Sequence, residues 1–278
     1  MNCSFREASK HETEQRRILK SLIPKRVRTP KIKTMEKTLI QRPGITRYSI
    51  NFDFTSADQR RILQYLQENG YQFLGYKGAT GLNQITSGVP TWFAMNFTEM
   101  FGMAEIDCES QYKVYVFNKE IIQPNTTIQM QALSQEIPLG TSLTFHPDGS
   151  FSTNGNAPDG VITVRNERPA GTPALTIGLA GKVNGRFQPF CAFTCMSQGQ
   201  VSMEPNDNIA LFAVQANLTS GSVASNARTS GCEFMFSAEN MEYDLQIVPG
   251  TYSITSSPGA APVYPVSAGQ SLIPLLNK

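Results

Sequence analysis

The stretch ALTIGLAGKV-NG-RFQPFCAFTC, residues 174–195, decides the class of fold. Two runs rich in apolar and small residues flank Asn184-Gly185. An Asn-Gly pair supplies both positive-φ positions of a type I′ turn, whose twist matches that of paired strands. The stretch therefore reads as a β-hairpin. A two-residue turn pairs Val183 with Arg186, Leu179 with Phe190 and Thr176 with Phe193, and sets Gly178 opposite Cys191.

Similar runs lie on both sides of this hairpin. Residues 48–54 alternate polar and apolar side chains with the period of a half-buried strand. Residues 71–76, 111–117, 126–133, 142–145 and 161–164 follow before the hairpin, and 208–216, 232–236, 243–248 and 252–254 after it. Tyr112, Val114 and Val116 alternate with Lys113, Tyr115 and Phe117, so both faces of that strand are expected to be partly buried. Pro147-Asp148-Gly149 and Pro158-Asp159-Gly160 are turns: proline presets φ, aspartate accepts a local backbone bond and glycine takes the strained position. In the body only residues 56–69 read as a helix. Ser56 and Gln59 form a capping box, Ile62, Leu63 and Leu66 make the buried stripe, and Asn69-Gly70 ends it. Many short strands joined by local turns, without βαβ alternation, predict a mainly β chain, an antiparallel β-sandwich of jelly-roll-like type. Residues 48–278 are expected to form one such domain, with a tail, 256–278, that wraps the body.

Charge divides the chain differently. Residues 1–47 hold 13 Lys and Arg against 4 Asp and Glu, whereas residues 71–278 hold 9 against 15. The net charge of +2 conceals this asymmetry, which bears on partners. Residues 1–47 therefore read as a basic, flexible N-terminal arm. Within it residues 9–23 suit one short amphipathic helix, with Ser9 and Glu12 as its capping box, Ile18, Leu19, Leu22 and Ile23 as its apolar face, and Pro24 as its stop. Lys25, Arg26, Arg28, Lys31 and Lys33 are candidates to meet nucleic acid phosphates or anionic lipid. Met35 is a second candidate start, which would make residues 1–34 an upstream extension. The arm lacks the apolar core of a secretory signal, so a cytoplasmic location, or release without a classical signal, is expected. No apolar run is long enough for a membrane-spanning helix.

The inventory for catalysis is thin. The chain has two histidines, His11 in the arm and His146 beside a Pro-Asp-Gly turn, so any Ser-His or Cys-His site must use His146. A turn histidine is ordinarily a solvated surface residue. Cys191 and Cys195 fall on one strand face about 13 Å apart at roughly 3.3 Å per residue, too far for a mutual disulfide. With Cys108 and Cys232 they read as buried core thiols. Glu105, Asp107 and Glu109 place three carboxylates on one strand face, opposite Ile106 and Cys108. That pattern suits a calcium site or paired acids, and equally an acidic solvated face that protects a sheet. Sequons at Asn96, Asn125 and Asn217 follow from the abundance of Asn, Ser and Thr.

Phe93, Met95 and Phe97 are expected to alternate into the core, which puts Trp92 on the opposite face. Trp92, with Tyr112 and Tyr115, is thus the candidate ligand-binding set. No cofactor, resident metal or catalytic residue is expected. The features together predict a soluble, non-catalytic β-sandwich that binds a ligand or assembles with itself as a homo-oligomer. Two alternatives stay open: a membrane-active, pore-forming toxin-like sandwich that uses the arm helix and the polar stretch 217–231, and a coat-like jelly roll whose basic arm holds nucleic acid.

Overall fold

The computed structural model describes residues 45–277. The expected arm helix and the basic residues Lys25, Arg26, Arg28, Lys31 and Lys33 lie outside them. The described chain is mainly β. In order it forms β1 (Arg47–Asp53), α1 (Ala57–Glu68), β2 (Tyr71–Thr80), β3 (Val89–Pro90), β4 (Phe93–Asn96), β5 (Met103–Phe117), β6 (Ala132–Leu133), β7 (Thr141–Phe145), β8 (Phe151–Asn156) and β9 (Ile162–Asn166). There follow β10 (Leu175–Val183), β11 (Arg186–Pro189), β12 (Phe193–Cys195), β13 (Gln200–Gln215), β14 (Val223–Ala224), β15 (Gly231–Met235), β16 (Glu242–Ile247), β17 (Ile254–Ser256), β18 (Tyr264–Val266) and α2 (Leu272–Leu276).

One eight-stranded sheet runs β11-β10-β5-β1-β16-β17, with β12 also on β10 and β6 on β5. A second runs β18-β15-β13-β9-β7-β8, with β2 on β13 and β4 on β2, while β3 and β14 make a two-stranded ladder. Pairing is mostly antiparallel, but β1–β16 and β7–β9 are parallel, which strand-by-strand periodicity does not reveal. Ile50, Phe52 and Ile106 of the first sheet share one buried cluster with Phe73, Ile209 and Leu211 of the second. Phe52 meets Phe73 edge-on across it, with ring centroids 5.2 Å apart. Each such side chain contributes roughly 1.5–3 kcal/mol when fully buried. Both sheets are also covered on their other faces. Leu272, Leu275 and Leu276 of α2 cover Tyr76 and Phe212, and Ile122 and Ile128 cover Tyr115 and Phe117. This double burial is why β2 and β5 lack clean alternation.

Helix α1 forms where expected, and Ile62, Leu63 and Leu66 are its buried residues. Ser56 Oγ accepts from the Gln59 N–H at 3.2 Å. The Gln59 side chain does not return to the cap. It donates to Ile247 O at 2.9 Å and accepts from Ile247 N, docking the helix onto β16. The strand expected over residues 126–133 shrinks to β6 plus an isolated bridge between Thr127 and Ser222. A turn at Asn125, with φ of 67°, precedes the bridge, and residues 128–131 between the bridge and β6 form no ladder.

The hairpin forms with Asn184 and Gly185 at φ of 47° and 74°, and Val183 pairs with Arg186. Its far end differs from the expected register. Thr176 pairs with Thr194 and Ile177 with Phe193, so one extra residue sits between Phe190 and Phe193. The cause is local. The Cys191 carbonyl turns to accept from the Tyr115 hydroxyl at 2.7 Å, and the Leu179 N–H points at Cys191 Sγ. Gly178 permits this approach, because a Cβ there would collide with the Cys191 carbonyl oxygen and the Tyr115 ring. Gly178→Ala is expected to cost at least about 2 kcal/mol by overpacking, and Leu66→Ala about 2–5 kcal/mol by leaving a cavity. Urea unfolding of both variants measures these losses, and a neutral Gly178→Ala contradicts the close approach.

Candidate functional site

The structure moves the aromatic candidates indoors. Trp92 is 2% exposed, and its indole N–H donates to Gly181 O at 3.1 Å. The expectation of an outward Trp92 fails because residues 89–97 are not one strand. β3 and β4 belong to different sheets, and Thr91, Trp92 and Phe93 are all buried at the crossing between them. Tyr112 is buried against Phe190. Tyr115 is buried in a different cluster on the opposite side of the first sheet. The three do not converge on an accessible pocket.

Trp92 and Tyr112 instead neighbour a residue that the strand pattern overlooked. Lys77 lies on the same side of β2 as Phe73 and is 5% exposed. Its ammonium reaches Asp207 Oδ1 at 2.7 Å and stands 5.8 Å from the Trp92 ring and 5.9 Å from the Phe190 ring. Asp207 occupies the irregularity of β13 between Pro205 and Ile209, and its other oxygen is 3.4 Å from the Tyr48 hydroxyl. Burial opposes the charged form of Lys77, but Tyr112 and Asp207 outweigh it and hold its pKa above the ordinary value. Its direct pairing with Asp207 is that of a structural cation. The available signal was parity: Phe73, Gly75 and Lys77 share one strand face, and the first is core.

The second feature is electrostatic. β5 directs Glu105, Asp107 and Glu109 away from the core and buries Ile106 and Cys108. Register sets Asn51 of β1 between Glu105 and Asp244, and Ser49 between Asp107 and Glu242. Asn51 Nδ2 donates to Glu242 at 2.5 Å and to Asp244 at 3.0 Å, drawing two carboxylates together. Asp53 extends the same face. These six acids flank β1 against Arg47 and Lys182, and Lys182 is already paired with Glu109 at 3.2 Å. A groove of about 680 Å³ runs along this face, lined by Asp53, Met103, Glu105, Glu242 and Asp244 among others. Among the described residues no three His, Cys, Asp or Glu side chains converge closely enough to hold a metal ion, so Glu105, Asp107 and Glu109 do not close into a calcium cage.

His146 sits in a third arrangement. One ring nitrogen is 2.7 Å from Ser152 Oγ and the other 3.3 Å from Glu167 Oε2. This has the connectivity of a nucleophile, a base and an orienting acid. All three side chains reach water, His146 and Ser152 on the β7–β8 hairpin and Glu167 just after β9, and Glu167 is also 3.9 Å from Arg165. Acyl transfer gains most of its rate from donors fixed in a water-excluded site.

The last feature is a polar pocket of about 230 Å³ where residues 125–127 meet residues 217–228. Sequence reading begins a strand at residue 126 and treats residues 217–231 as a polar stretch. No family model, curated protein or solved structure matches the chain.

The buried pair and the core thiols generate two expectations. Asp207→Ala strands a buried ammonium and is expected to cost about 2–4 kcal/mol, whereas Lys77→Met costs less because a thioether suits the aromatic cage. Equal losses in urea melts would contradict that asymmetry. Burial raises the pKa of all four described cysteines, to about 12 at Cys191 and about 11 at Cys195. The folded state therefore keeps protons that the unfolded chain releases above about pH 8.5, so stability is complete below that pH and falls as pH rises toward the folded values. The loss of Lys77 charge at still higher pH acts in the same direction. In a Cys3→Ser variant no thiol is expected to react with a disulfide reagent at pH 8 until the protein is unfolded, when four react.

Proposed function

We propose that this chain is a non-catalytic β-sandwich of jelly-roll-like type that assembles with itself, the basic segment of one copy engaging the acidic sheet face of another. One observation carries the reading: the sequence concentrates positive charge in residues 1–47, while six acids flank β1 on the folded body. Magnitudes divide the labour. Exposed ion pairs contribute only about 0.2–1 kcal/mol each, so charge sets register and encounter rate, and apolar contact must add affinity. Phe101 and Met103, 70% and 78% exposed at the end of this face, offer that contact.

The open setting of His146, Ser152 and Glu167 supports the non-catalytic part of the reading. A serine-directed phosphonate is expected to leave Ser152 unlabelled, and stoichiometric labelling there would overturn this part. The basic segment also favours nucleic acid as a second occupant, which 260 nm absorbance across a size-exclusion peak reads.

Light-scattering mass after size exclusion tests assembly. The full chain is expected to be oligomeric in about 0.05 M salt and to dissociate toward about 1 M, where the screening length falls to about 3 Å. The triple variant Glu105→Lys, Glu242→Lys, Asp244→Lys is expected to stay monomeric. A wild-type monomer at every salt concentration, or an unaffected oligomer in the triple variant, overturns the proposal.

A further inference from the structure

The polar pocket between residues 125–127 and 217–228 has the construction of a ligand site. Its walls are cross-braced by main-chain bonds. The Asn125 N–H donates to Val223 O at 2.8 Å, the Val223 N–H to Thr126 O at 2.8 Å and the Ile128 N–H to Gly221 O at 2.9 Å. Gln72, from β2, clamps Leu218 through both its backbone groups, at 2.7 and 3.1 Å. Ser222 is fixed by bonds from the Thr219 N–H to its hydroxyl and from its own N–H to Thr219 O. Two loops so tied are ordered before any ligand arrives, which removes much of the entropy cost of binding.

The lining is chemically selective. Asn125, Thr127, Asn217, Thr219 and Ser222 bring amide and hydroxyl groups, and Arg228 brings the single formal charge. Arg228 is held at its base, since the Ala227 N–H donates to Gln270 O and the Thr229 hydroxyl to Ala213 O. One guanidinium nitrogen donates to Asn125 Oδ1 at 3.0 Å. Among the described residues Arg228 has no carboxylate partner, and it is an exposed residue that lines the pocket. A planar fork pairs best with a carboxylate, through two parallel bonds. The surrounding hydroxyls and amides can donate and accept, as sugar hydroxyls require. The volume of about 230 Å³ is below the range of roughly 300–1,000 Å³ for drug-sized ligands, and it suits a single sugar ring.

From this geometry we infer that the pocket binds a monosaccharide unit carrying one carboxylate, with Arg228 on the carboxylate and Asn125, Asn217, Thr219 and Ser222 on the ring hydroxyls. The site is independent of the acidic face and of self-assembly. It gives the protein a means of recognising acidic glycans.

Protein-observed NMR tests it, with N-acetylneuraminic acid and glucuronic acid as probes. At least one is expected to shift the amides of Asn125, Thr219 and Ser222 saturably at concentrations up to about 20 mM, well above a dissociation constant of ~1 mM. The methyl ester of the bound acid is expected to bind at least tenfold more weakly. Arg228→Ala should abolish the shifts, Arg228→Lys should weaken them about tenfold because the fork is lost, and Glu105→Gln should leave them unchanged. Since Arg228 is exposed, both Arg228 variants are expected to keep the wild-type spectrum elsewhere. Absence of a saturable shift with both acids overturns the inference. So does an undiminished response in Arg228→Ala, or equal binding of inorganic sulfate, which would mark a simple anion site.

Discussion

Strand β13 changes partners at Asn206-Asp207-Asn208, and the rest of the described fold depends on how that interruption is satisfied. On one edge β13 pairs with β9 before it and with β15 after it, while on the other edge the β2 pairing is interrupted there and resumes. A break within a sheet frees backbone groups that burial would make costly. Here each of the three residues supplies a substitute. Asn206 and Asn208 both donate from their side-chain amides to Leu276 O, which fastens the C-terminal end of α2 to the sheet. Asn206 Oδ1 accepts from the Asn208 N–H. The Asp207 carbonyl accepts from Phe236 N, and its carboxylate holds Lys77. The irregularity therefore joins both sheets, the tail and the one buried cation of β2.

Lys77 also explains the shape of the surrounding core. An ammonium in an apolar interior is tolerable only if its charge is met. Asp207 meets it directly, and Trp92 and Phe190 present ring faces near the limit of useful cation–π distance. This demand for aromatic neighbours is consistent with the burial of the only tryptophan at a strand crossing. The same site carries Tyr48 and Tyr112, so the residues that looked like a ligand set in the sequence belong in part to a structural network.

Among the described residues two surfaces carry the proposals, and they use opposite chemistry. The face around β1 is anionic, broad and flanked by exposed Phe101 and Met103, which suits a large partner. The pocket at Arg228 is small, neutral apart from one guanidinium, and stiffened by its main-chain bonds, which suits a small ligand. Neither requires the other. A protein that both assembles and recognises acidic sugars would present the pocket many times over, and multivalency then compensates for weak single-site binding.

What the sequence by itself determined is local. The Asn184-Gly185 turn, the Ser56 cap, the buried stripe Ile62, Leu63 and Leu66, and the alternation of Glu105, Asp107 and Glu109 against Ile106 and Cys108 all follow from steric rules acting over a few residues. The charge division between residues 1–47 and the body is equally plain in composition. The tertiary structure alone decided features whose partners are far apart in the chain. Lys77 and Asp207 are separated by 130 residues, and Arg228 and Asn125 by 103. The slip beyond Phe190 arises because Tyr115, on another strand, competes for the Cys191 carbonyl. Periodicity reports which way a side chain points from its own strand, and it carries no information about which strand lies opposite.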